Sequence, residues 1–198
     1  TGAFGDNLDE PARQVALKAN LSEADVSGLR ALGVCINYNG YGPSLDDLHF
    51  HPSELYTALY EAGHPGAFID SDSFRQLSEG YSQDVAASKA LVPALIQPGF
   101  AIYQLPNAAW ARRVSGVFSN DLVRTYPARA HAVLTEQDDG AFLVSVRAPF
   151  HHRFGAEKVC AQFETGGGRA AAAGINRLAA DDLDRLIAAL ATEYGDQR

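Results

Sequence analysis

Residues 165–175 read Thr165-Gly166-Gly167-Gly168-Arg169-Ala170-Ala171-Ala172-Ala173-Gly174-Ile175. Three consecutive glycines raise the conformational entropy that folding must remove, so they call for a structural or functional reason. One reason is the close approach of backbone N–H groups to an anion, to which Arg169 can add a bidentate contact. The other is a plain flexible turn, and the triplet by itself does not decide between the two.

Outward from this stretch, the hydrophobic pattern predicts strands mixed with helices. Strands are expected over 100–105, 129–135, 141–148 and 171–175, and helices over 109–126, 155–163 and 181–194. The sequence Asp138-Asp139-Gly140, between the second and third strands, is typical of a β-hairpin. The glycine triplet is expected to be a loop before the last strand. This mixture predicts a layered α/β domain with a small mixed sheet.

The upstream half of the chain predicts mainly helices. One helix is expected over 8–18, and another begins at an N-cap, Ser22, and ends near Gly33. The apolar run 34–36 is expected to be a short strand. Pro52 is placed to begin a further helix.

A boundary is expected where Pro93, Pro98 and Gly99 interrupt the helical pattern. We therefore predict a helical N-terminal segment over residues 1–97 and a small mixed-sheet α/β domain over residues 98–198.

The order of motifs in the second of these domains resembles the C-terminal domain of the DHH phosphoesterase family. That domain has a GGG motif near its end, followed by an alanine- and glycine-rich strand and a last helix. The same order occurs here: the run Val-Ser-Val-Arg at 144–147, a short helix, the glycine triplet and an alanine-rich strand. The resemblance covers roughly residues 100–194. Histidine commonly follows the triplet in the family, whereas Arg169 follows it here, so a permanent cation replaces a group that can be a neutral donor.

The resemblance implies a substrate-binding role for the domain, which in the family closes over a cleft where two metal ions activate water. By this likeness Arg147 and Arg169 would clamp a phosphate, and the backbone of Gly166, Gly167 and Gly168 would line it. Without the resemblance, Arg147 can also be read as an outward-facing arginine on a half-exposed strand.

The start of the chain, Gly2-Ala3-Phe4-Gly5-Asp6-Asn7, resembles the last metal-binding motif of the family's catalytic domain, where an aspartate follows a strand and a glycine. The resemblance makes Asp6 a ligand of a divalent metal, usually manganese, which prefers hard oxygen ligands. By itself, Asp6 can also be a loop residue or a helix cap. The family's Asp-His-His signature does not occur, because His151-His152 follows Phe150. Since the chain begins at Thr1 without methionine, we expect a piece of a longer protein that lacks its DHH half.

A second candidate metal site is the pair His49 and His51, which would lie on the same side of an extended segment, near Asp46 and Asp47. No third ligand follows at a recognisable spacing. The alternative is that this pair anchors the loop around the next helix.

Composition excludes several classes of protein. Of 198 residues, 46% are hydrophobic and 20% are charged, which excludes a disordered chain, and the net charge of −8 argues against general coating of nucleic acid. Cys35 and Cys160 lie in unrelated contexts, so two buried, reduced thiols are expected rather than a disulfide or a zinc site. No apolar run reaches the ~20 residues of a membrane span and no signal peptide is evident, so a cytoplasmic protein is expected.

Together with the resemblance, these observations predict that the chain is the substrate-binding part of a metal-dependent, DHH-type phosphoesterase. The complete enzyme would act on phosphodiesters or phosphate esters of short oligonucleotides or nucleotides, and this chain would lack part of it. The alternative is a non-catalytic module of the same domain type that binds nucleic acid or mediates assembly, against which Gly5-Asp6-Asn7 argues. A transferase binding a cofactor phosphate ranks last, because no strand–GxGxxG–helix order occurs. The exact substrate and homo-oligomerisation remain open.

Overall fold

The structure, a computed structural model, describes residues 1–195. The chain divides into two compact units, Thr1–Ala86 and Ala87–Arg198, and the division falls inside helix α6, Asp72–Lys89. We call them the first and the second unit. The division therefore lies upstream of the boundary that Pro98 and Gly99 predicted.

The first unit consists of helices. They are α1 (Gly2–Gly5), α2 (Asp9–Lys18), α3 (Glu23–Tyr38), α4 (Pro52–Ala62), α5 (Pro65–Ile69) and most of α6. Ser22 begins α3 in a capping box with Asp25, and Pro52 occupies the first turn of α4, as predicted. One apolar cluster of this unit is built around Leu32, Cys35, Leu55, Phe68 and Leu77.

Helix α3 corrects two predictions, because it continues through Gly33 and contains the run 34–36 that was expected to be a strand. Glycine is required at position 33 by packing, and it does not end the helix. A Cβ placed on it would lie 2.4 Å from the carbonyl oxygen of Thr1, and one on Gly5 would lie 2.7 Å from the carbonyl oxygen of Gly33. The glycine therefore allows α1 to pack directly on the backbone of α3.

The second unit contains a six-stranded sheet, which confirms the predicted α/β fold with a mixed sheet after N-terminal helices. Its strands are β1 (Leu95–Ile96), β2 (Phe100–Leu105), β3 (Ala130–Glu136), β4 (Phe142–Arg147), β5 (Gly166–Arg169) and β6 (Ala172–Leu178). The spatial order is β1-β2-β3-β4-β6-β5. Only β2 and β3 pair in parallel among these strands, and the others pair antiparallel. The predicted hairpin connects β3 to β4, where Gly140 has a φ of 75°.

Helices pack on both faces of the sheet. Helix α7 (Ala109–Thr125) contacts β3 and β4 on one face, where Tyr103 and Phe118 meet edge to face with ring centroids 5.2 Å apart. Helices α8 (Ala156–Cys160) and α9 (Leu183–Tyr194) lie on the other face, over the main apolar core. None of the helices within residues 1–195 is long and apolar enough to cross a bilayer.

The glycine triplet is not the loop that the sequence predicted, because Gly166–Arg169 forms the edge strand β5. The side chain of Thr165 fixes the start of this strand. Its Oγ1 accepts a hydrogen bond from the backbone N–H of Arg177 at 2.9 Å and donates one to the carbonyl oxygen of the same residue at 3.1 Å. Backbone pairing with β6 then outweighs the low strand propensity of glycine.

His131 is a fully buried histidine on β3, and burial lowers its pKa to about 4. Its Nε2 lies 3.3 Å from the carbonyl oxygen of Tyr126, which can only accept, so Nε2 carries the proton of the neutral ring. Its Nδ1 is buried and has no hydrogen-bond partner in the part of the chain that the structure describes.

We expect the free energy of unfolding to decrease as the pH falls from about 6.5 to about 4, by about 3 kcal/mol from His131 alone. In this range the unfolded chain binds a proton that the folded chain rejects, and above about pH 6.5 the ring is neutral in both states. Urea denaturation at several pH values measures the slope. The variant His131→Gln should flatten it, whereas His151→Gln, at an exposed position, should not. An unchanged slope in His131→Gln would contradict the assignment.

Candidate phosphate-binding site

Four residues of the second unit lie in one row across four neighbouring strands. His131 on β3 pairs with Arg147 on β4, Arg147 pairs with Ala172 on β6, and Ala172 pairs with Arg169 on β5. Directly opposed residues in antiparallel strands present their side chains on the same face of the sheet. The two arginines predicted from the sequence are therefore brought to one face, on either side of Ala172 and roughly 10 Å apart at Cα, since strands lie about 4.8 Å apart.

The Arg147 side chain is half-buried and held in place. Its Nε donates to Oδ1 of Asn120, an α7 residue, at 3.0 Å, and its Nη1 donates to the carbonyl oxygen of Val146 at 3.3 Å. Burial lowers the pKa of the Arg147 guanidinium, and the nearby charge of Arg169 lowers it further. The two cations thus destabilise each other, and an anion between them would remove that repulsion.

Arg169 ends the edge strand β5 and is exposed. Its side chain makes no hydrogen bond or ion pair with any residue in the range 1–195, and Arg147 likewise has no acidic partner there. Two unneutralised arginines on one face are suited to bind an anion bidentately.

The three glycines of the triplet meet different constraints. A Cβ on Gly166 would lie 1.8 Å from the carbonyl oxygen of Cys160, and one on Gly168, whose φ is 144°, would lie 2.5 Å from Cα of Ala173. Both positions therefore require glycine for packing. A Cβ on Gly167 would meet nothing within 4 Å, so the described structure gives no packing reason for glycine there.

The side of the sheet that Gly167 faces is the side of the arginines. Gly167 pairs with Gly174, and Gly174 pairs with Ser145, which is two residues before Arg147 on β4. The surface next to the arginines therefore includes Ala172, Gly174 and Gly167, none of which has a side chain larger than a methyl group. A ligand bound by the arginines can approach this backbone closely.

Structural comparison identifies proteins with the same architecture. The chain is similar to the pGpG-specific phosphodiesterase PggH from Vibrio cholrae, with a TM-score of 0.56 and 15% identity over 83% of this chain and 57% of that one. It is also similar to CDC45 from Entamoeba histolytica, with a TM-score of 0.50 and 10% identity over 82% of this chain and 37% of that one. No family model matches the sequence, and no curated protein matches it.

The similarity to PggH confirms the α/β fold that the sequence resemblance implied. The chain therefore has the fold of part of this phosphodiesterase. It spans 57% of the PggH chain, so the activity of a whole DHH phosphoesterase is not established for it.

The structure does not assemble a DHH-type metal site from the residues it describes. Asp6 follows a helical turn, α1, rather than the predicted strand, and it is exposed at the C-cap of that turn. No group of three or more histidine, cysteine, aspartate or glutamate side chains within residues 1–195 could hold a metal ion.

His49 and His51 are not brought together as a metal pair. Nε2 of His49 points to the buried carboxylate of Asp84, 3.4 Å away, and the Asp84 oxygen accepts a hydrogen bond from the hydroxyl of Tyr38 at 2.7 Å. His51 instead caps α4, where its Nδ1 accepts from the backbone N–H of Ser53 at 3.3 Å. This arrangement fits the alternative in which the pair anchors the loop before α4.

Sequence reasoning missed two residues beside Arg147, namely Asn120 and His131. Asn120 gave no signal, because an exposed asparagine on a helix is ordinary and its contact with Arg147 joins distant parts of the chain. His131 could have been noticed in the sequence, because it is a histidine within the otherwise apolar run 130–134.

We expect Gly166→Ala to lower the free energy of unfolding by at least about 2 kcal/mol, because its methyl group would collide with the carbonyl oxygen of Cys160. The variant Gly167→Ala serves as the matched control, since its methyl group meets open space and should change stability by less than about 0.5 kcal/mol. Urea denaturation of both variants measures the difference. Equal losses of stability would contradict the division of the triplet into packing glycines and an open one.

Proposed function

We propose that this chain is the substrate-binding part of a metal-dependent, DHH-type phosphoesterase acting on phosphodiesters or phosphate esters of short oligonucleotides or nucleotides. The observation that carries the proposal is the row in which Arg147 and Arg169 flank Ala172 without acidic partners within residues 1–195. The fold likeness to PggH, a pGpG-specific phosphodiesterase, supports a nucleotide phosphate as the ligand.

In this proposal a phosphate group lies over Ala172. Arg147, held at Nε by Asn120, and Arg169, from the edge strand, donate hydrogen bonds to its oxygens. The backbone of Gly167 borders the phosphate, and the methyl group of Ala172 leaves room beneath it. The arginines fix the position of the ester and stabilise negative charge that develops on it during hydrolysis.

The complete enzyme is proposed to use a divalent metal ion, and the family resemblance implies manganese. A bound pair of divalent ions would activate a water molecule for attack on the phosphorus atom. Within residues 1–195 only Asp6 is proposed as a ligand, and the chain's own contribution is to bind and orient the phosphate.

The second candidate function is a non-catalytic module that binds nucleic acid or mediates assembly. It is favoured by the lack of three converging metal ligands within the described residues. Both functions use the same arginines, so binding experiments alone do not separate them, whereas measurements of turnover do.

We expect Arg147→Ala and Arg169→Ala each to weaken the binding of pGpG by about 1–3 kcal/mol, because each removes charged hydrogen bonds to phosphate. Calorimetric titration of the 198-residue chain measures the loss. Arg177→Ala is the matched control, since Arg177 is an exposed arginine of β6 that pairs with Asp139 at 2.9 Å instead. Unchanged affinity in both variants at the row would contradict the phosphate site.

We expect the 198-residue chain to bind pGpG in the presence of Mn²⁺ without releasing nucleotides, because no metal cluster forms within the described residues. Chromatography of the reaction mixture measures release. In a longer protein carrying the Asp-His-His signature, release should occur and should be lost in Asp6→Ala. Release by the 198-residue chain alone would contradict its assignment as the binding part.

A further inference from the structure

One end of the sheet in the second unit concentrates arginine, histidine and exposed aromatic side chains. We call it the arginine end and define it by three segments, residues 124–131, 147–156 and 166–172. Besides the strand pairing of Arg147 and Arg169 with Ala172, three backbone hydrogen bonds join the segments. They run from Ala148 N to Ala171 O at 3.1 Å, from Ala156 N to Ala170 O at 3.0 Å and from His151 N to Pro127 O at 3.3 Å.

The charge of the arginine end is opposite to that of the whole protein. Its three segments contain five arginines and three histidines but no aspartate or glutamate, although the chain carries a net charge of −8. At the other end of the same strands, Glu136, Asp138 and Asp139 lie around the β3–β4 hairpin. The sheet is therefore polarised along its strands, and anions are drawn to the end that holds Arg147 and Arg169.

Aromatic rings stand exposed at this end, next to the cations. Phe150 is 50% exposed and Phe154 59% exposed, in the loop that follows β4. The guanidinium of Arg153 lies 5.7 Å from the ring centroid of Phe150, and the guanidinium of Arg129 lies 5.1 Å from that of Tyr126. An arginine against one face of an exposed ring leaves the remainder of the ring accessible to a flat ligand.

We propose that Phe150, supported by Arg153, stacks on the nucleobase of a ligand whose phosphate is bound by Arg147 and Arg169. This inference rests on the proposed phosphate site and deepens it by naming the side chain that binds the base of the ligand. Phe150 lies three residues after Arg147, a span of at most about 10 Å, which is comparable with the length of a nucleotide. Nucleobases stack on aromatic side chains whatever their identity, and neighbouring arginines strengthen the contact.

The test compares two ligands that differ only in the base, AMP and ribose 5-phosphate, by calorimetric titration of the 198-residue chain. We expect the wild type to bind AMP more tightly than ribose 5-phosphate. In Phe150→Ala the affinity for AMP should fall about 5- to 100-fold, as for the loss of one base stack, while the affinity for ribose 5-phosphate stays unchanged. Phe150→Trp should retain the affinity for AMP, because it preserves a flat aromatic surface.

The matched control is Tyr60→Ala, which removes an exposed aromatic side chain from α4 in the first unit and should leave both affinities unchanged. Circular dichroism of each variant verifies that it is folded. Equal binding of AMP and ribose 5-phosphate by the wild type, or an unchanged affinity for AMP in Phe150→Ala, would overturn the stacking site.

Failure of the stacking site and failure of the phosphate site give different results. If Arg147→Ala weakens the binding of both ligands and Phe150→Ala weakens neither, the phosphate site stands and the stacking inference falls. If Arg147→Ala and Arg169→Ala leave both affinities unchanged, the proposed function itself fails.

Discussion

The backbone hydrogen bonds that β6 makes to β4 on one side and to β5 on the other hold Arg147, Ala172 and Arg169 in one line. Side chains alternate between the two faces of a strand, so a shift of one residue in either pairing would turn one arginine toward the core. Two cations that repel each other are thus kept on the same face by backbone geometry.

Packing on the opposite face of the sheet fixes this register. Ala173 and Ile175 of β6 are buried in the core formed with α8 and α9. Gly168 fits against Ala173, and Gly166 lies under the carbonyl oxygen of Cys160, where no larger residue has room. The core-facing glycines of the triplet therefore position β5, and the third, Gly167, is the one left open toward the arginine side. Strand alternation thus gives one run of three identical residues two packing positions and one open position.

The parts of the fold that local pattern determines were predicted well. Strand β2 has the predicted bounds, Phe100–Leu105, and the hairpin before Ala141 follows from its turn residues. The errors occur where a distant contact overrides local preference. Gly33 was read as a helix end because its partner, α1, cannot be recognised from the sequence, and the glycine triplet was read as a loop because its pairing with β6 is a tertiary property.

In the candidate site, too, some features could be predicted from the sequence and others depend on tertiary contacts. Arg147 and Arg169 were found because a family resemblance supplied their order along the chain, which no periodicity reveals. Their common row, the restraint of Arg147 by Asn120 and the buried neighbour His131 depend on strand register and helix packing, and could not be predicted from the residues alone.

The distribution of charge sets the arginine end apart from the rest of the protein. A protein of net charge −8 repels anions at long range, so an anionic ligand approaches it only where local positive charge is stronger than that background. Two arginines would suffice to hold one phosphate, yet the segments of the arginine end carry five and exclude every acid. The additional arginines, Arg129 and Arg153, lie against aromatic rings rather than against carboxylates. Cations paired with π-faces suit a ligand that combines charge with a flat ring system, which is the chemistry of a nucleotide.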